Sequence, residues 1–363
     1  MTMDYSKEQL ARIWLQCLPM GAWNKRDALI RSFGGAESVW DHFTPALYER
    51  LGPEAFAFLA DTRASRCANT LRLLDALGAR AVFRGGAGYP ALLNAVEDAP
   101  DVLFVLGTLP GDDMPAVAIV GSRRSTRYGT AQARRIAGEL ADAGAAVISG
   151  LARGIDAAAH LGALDRRGPT VAVLGSGLAH IYPPENKDLF ARIVGEGGAV
   201  VSELNPDFTP LPFHFPVRNR IISGLAHALL LIEAQEKSGT HSTVNHALDQ
   251  GREVFALPGN VDAPGSELPL KLLKDGANIC TCGEDILAAM GWRRSPPMQT
   301  TLFAPDAEEN DPVLRALSME EKTLEELIEE TGLSAQDLGT QLTLLELGGR
   351  VERRAGRAYA LIR

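Results

Sequence analysis

Six short apolar runs leave this chain few folds to choose from: "AVAIV" (116–120), "AAVIS" (145–149), "TVAVL" (170–174), "GAVVS" (198–202), "ALLLIE" (228–233) and "EVFAL" (253–257). Each is apolar at successive positions rather than alternate ones, so a strand made from it buries both faces. Between them lie amphipathic stretches such as "GTAQARRIAGELADAG" and "THSTVNHALDQG". Strands of this kind alternating with helices predict an α/β fold with a Rossmann-like, doubly wound, mostly parallel sheet covered on both faces. We place it over residues 79–291. In such folds ligands bind outside the carboxyl ends of the strands. That rule gathers "GSRRSTR", "GLARG", "GSGLAH", "ELNPDFTPLPFHFPVRNR", "AQEKSGT" and "PGNVDAPGS", where glycine, proline and arginine are concentrated.

The flanks read differently. Residues 1–78 are strand-poor, with helical periodicity in "EQLARIWLQCL", "KRDALIRSF" and "RCANTLRLLDAL". The turn "LPMG" fits either a loose helix-hairpin-helix connection or the corner of a small packing domain. Residues 292–312 are Pro-rich and polar and read as a linker. Residues 313–363 read as three helices and two short strands around Ala355-Gly356, a winged-helix-like domain. Its third helix, "SAQDLGTQLTLLELG", carries no lysine or arginine, which favours a protein-contact or packing role over reading a DNA groove.

Charge and cysteine narrow the class. The formal net charge is −9, but residues 305–363 hold 13 acidic and 7 basic side chains, so the rest of the chain is nearly balanced. A binding groove depends on such local distribution. Cys17, Cys67, Cys280 and Cys282 have neither redox nor zinc spacing, which predicts free thiols and no metal site. No apolar stretch approaches the ~20 residues of a membrane span, and the N-terminus lacks a signal-peptide pattern. The expected place is the cytoplasm, without membrane insertion.

In "VAIVGSRRSTRY" (117–128) an apolar run ends at Gly121 and Ser122 before a helix start, the form of a phosphate cradle, with Arg123, Arg124 and Arg127 on its rim. A dinucleotide fingerprint needs two further glycines and an acidic residue about 20 positions on, and a P-loop needs G-x-x-x-x-G-K-[ST]. Both are missing, so no NAD or ATP cofactor is expected. In "HFPVRNRIISGL" (214–225), rings stand beside Arg218, Asn219 and Arg220. Bases stack on rings while guanidinium groups hold phosphates; alternatively Phe213 and Phe215 are core and the arginines pair with Glu203 or Glu233. "KSGTHST" (237–243) offers a second backbone-amide cup, or an ordinary helix cap. Asp156 and His160 lie four apart on one helix without a nucleophile beside them, so no catalytic site is assigned.

Taken together, these blocks resemble the DprA/Smf family of DNA-processing proteins from about Gly88 to Ile286. "YPALLNAVEDAPDVLFVLG", "AIVGSRRSTRYG", "VISGLARGIDAAAHLGAL", "VAVLGSGLAHIYPPEN", "VSELNP", "HFPVRNRIISGL", "IEAQEKSGTHSTV" and "ALDQGREVFALPGNVDAPGS" stand in the family's order. The resemblance implies a homodimer that binds single-stranded DNA, protects it and helps load a RecA-type recombinase during natural transformation. It implies DNA contacts at Gly121, Ser122, Arg123 and Arg124 in the first loop, and at Ser149, Gly150, Arg153 and Gly154 in the second. Phe215, Arg218, Asn219 and Arg220 are implied in an aromatic-arginine loop, and Ser238, Gly239 and Thr240 in the glycine cup. The chain departs from the family pattern at His241 and over 265–277.

The competing class is an enzyme. Nucleoside-monophosphate phosphoribohydrolases share a similar architecture and a "PGGxGTxxE" motif, but Thr243 follows Thr240 here where their glutamate stands. A transcription regulator reading DNA through the terminal domain is disfavoured by that domain's acidity. Finally, "QTTLF" (299–303) resembles a sliding-clamp peptide, which would dock through Gln299, Leu302 and Phe303, or is simply spacer.

Overall fold

A computed structural model describes residues 5–18, 20–44, 52–292, 312–317, 321–347, 350–354 and 358–361. It divides into two compact units, 1–295 and 296–363. The "QTTLF" peptide and the turn at Ala355-Gly356 lie outside the described residues.

The six apolar runs form six strands: β3 (Ala116–Val120), β4 (Ala146–Ser149), β5 (Thr170–Val173), β6 (Ala199–Ser202), β7 (Ala228–Leu231) and β8 (Glu253–Ala256). Preceding them, β1 (Ala79–Phe83) and β2 (Val102–Gly107) add an antiparallel extension, and β9 (Asn278–Ile279) closes the far edge. The order is β1-β2-β6-β5-β4-β3-β7-β8-β9, parallel from β6 through β9.

Continuous apolarity has its reason in the layers. Val117 and Ile119 of β3 face Ile136, Ile155 and Ile286 from the helices Arg127–Asp142, Ile155–Asp165 and Gly283–Ala289. Ala118 and Val120 face Ile222, Val244 and Leu268 from His214–Gly224, Thr240–Asp249 and Glu267–Lys274. A fully buried aliphatic side chain contributes about 1.5–3 kcal/mol, so a polar residue on either face of β3 would be costly.

Of the N-terminal helices Lys7–Gln16, Trp23–Phe33, Ala36–Asp41 and Pro53–Leu77, the first and last share a core with the sheet, while the middle two pack with Trp14, Leu15 and Leu59 in a cluster of their own. Ile13 and Leu74 pack with Phe83 and Phe104. Arg12 makes a bidentate ion pair with Asp101 (2.9 and 2.5 Å), and Gln16 Nε2 donates to the Glu203 carbonyl (2.7 Å). In the second unit the helices Pro312–Ala316, Leu324–Thr331 and Ala335–Leu347 surround Val313, Leu327, Leu338 and Leu342. They accompany a three-stranded antiparallel sheet, order β10 (Lys322–Thr323), β12 (Ala358–Leu361), β11 (Val351–Arg353). Among the described residues no helix is long and apolar enough to cross a membrane, and no cluster of His, Cys, Asp or Glu could hold a metal ion.

Candidate functional site

Strand β3 is flanked by β4 on one side and β7 on the other, so the order in which successive strands are laid down switches there while all remain parallel. The loops leaving β3 and β7 diverge and open a crevice at their carboxyl ends, where doubly wound folds place ligands. The crevice is a groove of about 810 Å³. The helix His214–Gly224 forms one wall. Phe215, Arg218, Asn219 and Ile222 line the groove, which is the i, i+3, i+4, i+7 face of that helix.

Phe215 is half-buried, with the Arg123 guanidinium 5.1 Å from its ring centroid and that of Arg218 5.9 Å away. Tyr182 meets the same ring at 5.5 Å. The two arginines differ. Arg123 and Arg124 are exposed. Arg218 is buried, its Nη1 donating to the carbonyls of Gly150 (2.9 Å) and Val173. Burial lowers its pKa to about 10, against the opposing pull of Asp156, so it stays charged at neutral pH. Burial pushes the Asp156 carboxyl up, opposed by Arg218 and by hydrogen bonds from the Gly150 and Ala152 amides (3.2 and 3.4 Å). Asp156 thus holds the Gly150–Ala152 turn whose Gly150 carbonyl receives Arg218. His160, a turn further on, is fully buried against Thr170 Oγ1 (2.7 Å), and desolvation holds its pKa down at about 3.

On the opposite wall Thr240 opens the helix Thr240–Asp249, its Oγ1 donating to the Gly121 carbonyl (3.2 Å). Asn219 Nδ2 donates to Ser242 Oγ (2.8 Å) and ties the two walls. The floor is less expected. Glu233, 7% exposed, accepts from Thr126 N (2.9 Å) and Thr126 Oγ1, while Thr126 itself caps Gly129 N (3.0 Å). A Cβ added to Gly129 would lie 2.2 Å from the Glu233 Cδ. The helix terminus that the "GSRRST" turn suggests as a phosphate cradle is thus filled by the protein's own carboxylate.

Of the residues picked out by sequence, Gly121, Ser122, Arg123, Arg124, Phe215, Arg218, Asn219, Ser238, Gly239 and Thr240 line the groove. Gly150 and Arg153 line a small recess on the other side of Phe215, where Arg153 pairs with Glu185 (2.5 Å). Gly154 (φ 78°) stands against the Ser122 carbonyl, where a Cβ would approach to 2.3 Å, and so locks the first two loops together.

Two placements need correction. Ser149 is fully buried as the last residue of β4, its Oγ donating to the Ile119 carbonyl (2.7 Å). Arg220 faces away from the groove and pairs with buried Glu203 (2.8 Å to each oxygen) and with Asp98. The cause is that "HFPVRNR" is helix, not loop: residues two apart point about 200° apart. Sequence reasoning also missed Tyr182, Gln235 and Glu233 as groove residues. For Glu233 a signal existed, an acidic residue at the tip of a strand neighbouring β3.

Comparison with known proteins gives concordant results. Residues 80–291 match the family "DNA recombination-mediator protein A", and residues 296–357 match "DprA winged helix domain". Protein Smf of Escherichia coli is 42% identical over 269 residues, 72% of each chain. The DNA processing protein DprA of Streptococcus pneumoniae is 42% identical over 200 residues, 55% of this chain and 70% of that one. The crystal structure of the S. pneumoniae protein superposes with a TM-score of 0.64 at 31% identity, covering 79% of this chain and 98% of its own. DNA processing protein A from Helicobacter pylori, whose structure is described as revealing a single-stranded DNA binding mode, gives 0.52 at 28% identity, covering 58% and 95%.

Proposed function

Because the chain belongs to the DNA recombination-mediator protein A (DprA/Smf) family, we propose that it binds single-stranded DNA in the groove at the β3/β7 switch point. The observation that carries this reading is Phe215 on the groove wall with the guanidinium groups of Arg123 and Arg218 5.1 and 5.9 Å from its ring centroid. A base stacks on such a ring whatever its identity, while exposed Arg123 and Arg124 meet phosphates. Groove residues come from six separated segments, which suits a strand crossing the crevice better than one nucleotide seated in a cradle. In our reading the protein works in the cytoplasm as a homodimer, shields incoming strands and helps place a RecA-type recombinase on them.

A glycosidic hydrolase on the same architecture is the weaker alternative. Both carboxylates of the groove are engaged, Asp156 by backbone amides and Glu233 by Thr126. The position of the hydrolase glutamate is Thr243, 2% exposed. The deciding experiment is fluorescence anisotropy with labelled oligo-dT and an equal-length duplex over a salt series, beside a nucleoside-monophosphate hydrolysis assay. Salt-sensitive preference for the single strand without hydrolysis supports the reading. Equal affinity for both forms, or turnover of the nucleotide, rejects it.

A further inference from the structure

The floor of the groove holds a feature that strand binding alone does not call for. Glu233 is buried to about nine-tenths, and among the described residues no lysine or arginine lies within ion-pair distance of it. Its carboxylate is held by neutral donors, Thr126 N and Oγ1, at the start of the 16-residue helix Arg127–Asp142. The chain leaves room for it. Gly129 has no side chain where a Cβ would strike the carboxylate, and the Cβ position of Gly265 lies 3.5–3.6 Å from the Glu233 side chain. A buried carboxylate without a counter-ion is costly unless hydrogen bonds and a helix terminus hold it. The positive end of a helix dipole is also where α/β proteins seat nucleotide phosphates. The N–H and hydroxyl of Thr126 thus form a two-donor anion seat at the helix start, and the protein's own carboxylate sits in it.

Resting on the reading of the groove as a strand-binding site, we infer that Glu233 is its specificity-determining residue against free nucleotides. It occupies the anion seat at the helix terminus and so excludes mononucleotides and orthophosphate. A mononucleotide has one strong handle, its terminal phosphate, and needs a seat of this kind to bind. A polymer's phosphates are diesters spaced along a backbone. They can be met one by one by Arg123 and Arg124 on the rim while a base rests on Phe215, with no demand on the floor. A cell holds abundant free nucleotides, so a groove with rim arginines and an open helix terminus would be competed away from rare single strands. The carboxylate removes the seat and repels the dianionic monoester more than a diester.

The test compares wild type with Glu233→Gln and Glu233→Ala, each checked for folding by circular dichroism and thermal melting. Labelled oligo-dT is titrated first, then displaced with dTMP and with orthophosphate. Orthophosphate binding is also followed directly by calorimetry. The expected result is oligo-dT binding by all three proteins, with displacement by dTMP at about tenfold lower concentration for Glu233→Ala, which opens the seat, and at severalfold lower concentration for Glu233→Gln, which removes only the charge. Glu233→Ala should also show orthophosphate binding that wild type lacks. Glu233→Gln keeps the volume and a hydrogen-bond acceptor toward Thr126 and removes the charge, so it tests the repulsion of the monoester even if the alanine variant does not fold. Folded variants that bind oligo-dT and are displaced by dTMP as wild type is, within twofold, overturn the inference and leave strand binding intact. Wild type that binds no oligo-dT overturns the strand reading instead, and the calorimetric comparison still reports on the seat.

Discussion

Arg123→Ala isolates the electrostatic part of strand binding. The guanidinium is exposed, makes no ion pair within the described residues, and rests over Phe215 at 5.1 Å. Removing it therefore leaves the fold nearly undisturbed and takes one cation from the rim. For a single strand, each neutralised phosphate contributes about 0.7 to the slope of log K against log salt. Losing one contact lowers the slope by that amount. Affinity then falls about fivefold at 0.1 M monovalent salt and only about twofold at 0.3 M. Loss of the cation–π contact adds ~0.5–1 kcal/mol insofar as it holds Phe215 in place, and this part does not vary with salt. Anisotropy titrations with oligo-dT at four or five salt concentrations separate the two. Arg123→Lys should restore the slope but not the salt-independent part, because an ammonium lacks the planar stack. A wild-type slope retained by Arg123→Ala would refute the placement of a phosphate at this residue, whatever the absolute affinity.

Phe215→Ala should cost ~1–3 kcal/mol of binding at every salt concentration, the worth of one stacked base, whereas Phe215→Trp should keep affinity and report the strand by quenching; unaltered binding by the alanine variant would remove the stacking platform. Arg220→Ala leaves Glu203 buried and unpaired, so chemical denaturation should show a loss of about 3–5 kcal/mol with the salt slope unchanged, and a changed slope would return Arg220 to the DNA interface. Gly154→Ala must place a Cβ against the Ser122 carbonyl at positive φ, and should lower both Tm and strand affinity; a variant as stable as wild type would show that the two loops are not locked there. His160 gives a pH signature, since its folded pKa of about 3 lies below the ordinary 6.5. Between those values the unfolded chain takes up a proton that the folded one refuses. Stability therefore falls by up to ~1.4 kcal/mol per unit as pH drops from 6.5 toward 3, with no contribution above that window. His160→Gln should lose this dependence, and parallel urea-midpoint curves for the two proteins would sink the argument.

The parallel sheet was legible because burial on both faces leaves an unmistakable trace: every one of the six apolar runs is a strand from β3 to β8. The antiparallel edge was not. β2 is as apolar as its neighbours, yet nothing in "VLFVLG" says that it pairs with β6, far along the chain and in the opposite direction. Pairing partner and direction are set by the packing of the whole sheet. The N-terminal helices posed the same problem. Their apolar faces are visible in sequence, but not that Ile13 and Leu74 complete a cluster with Phe83 and Phe104.

In the site, chemistry was easier to read than orientation. Arg218 and Arg220 look alike as letters, and only the helical turn sends one to the groove and the other to Glu203. Once 214–224 is taken as helix, the spacing 215, 218, 219, 222 picks out the groove face without further information. Glu233 shows the opposite limit. A glycine-ended strand followed by a helix start is a sound reason to expect a bound phosphate, and the local geometry agrees. What occupies the seat comes from a residue more than a hundred positions away, visible in sequence only as an acidic residue at the end of an apolar run, whose place beside β3 the local pattern does not give. With that seat filled, Arg218 buried and Arg153 paired to Glu185, the exposed guanidinium groups among the groove-lining residues are those of Arg123 and Arg124. For the proposed strand site this leaves few phosphate contacts. Tight binding must draw on stacking, which salt does not weaken, or on two grooves acting on one strand.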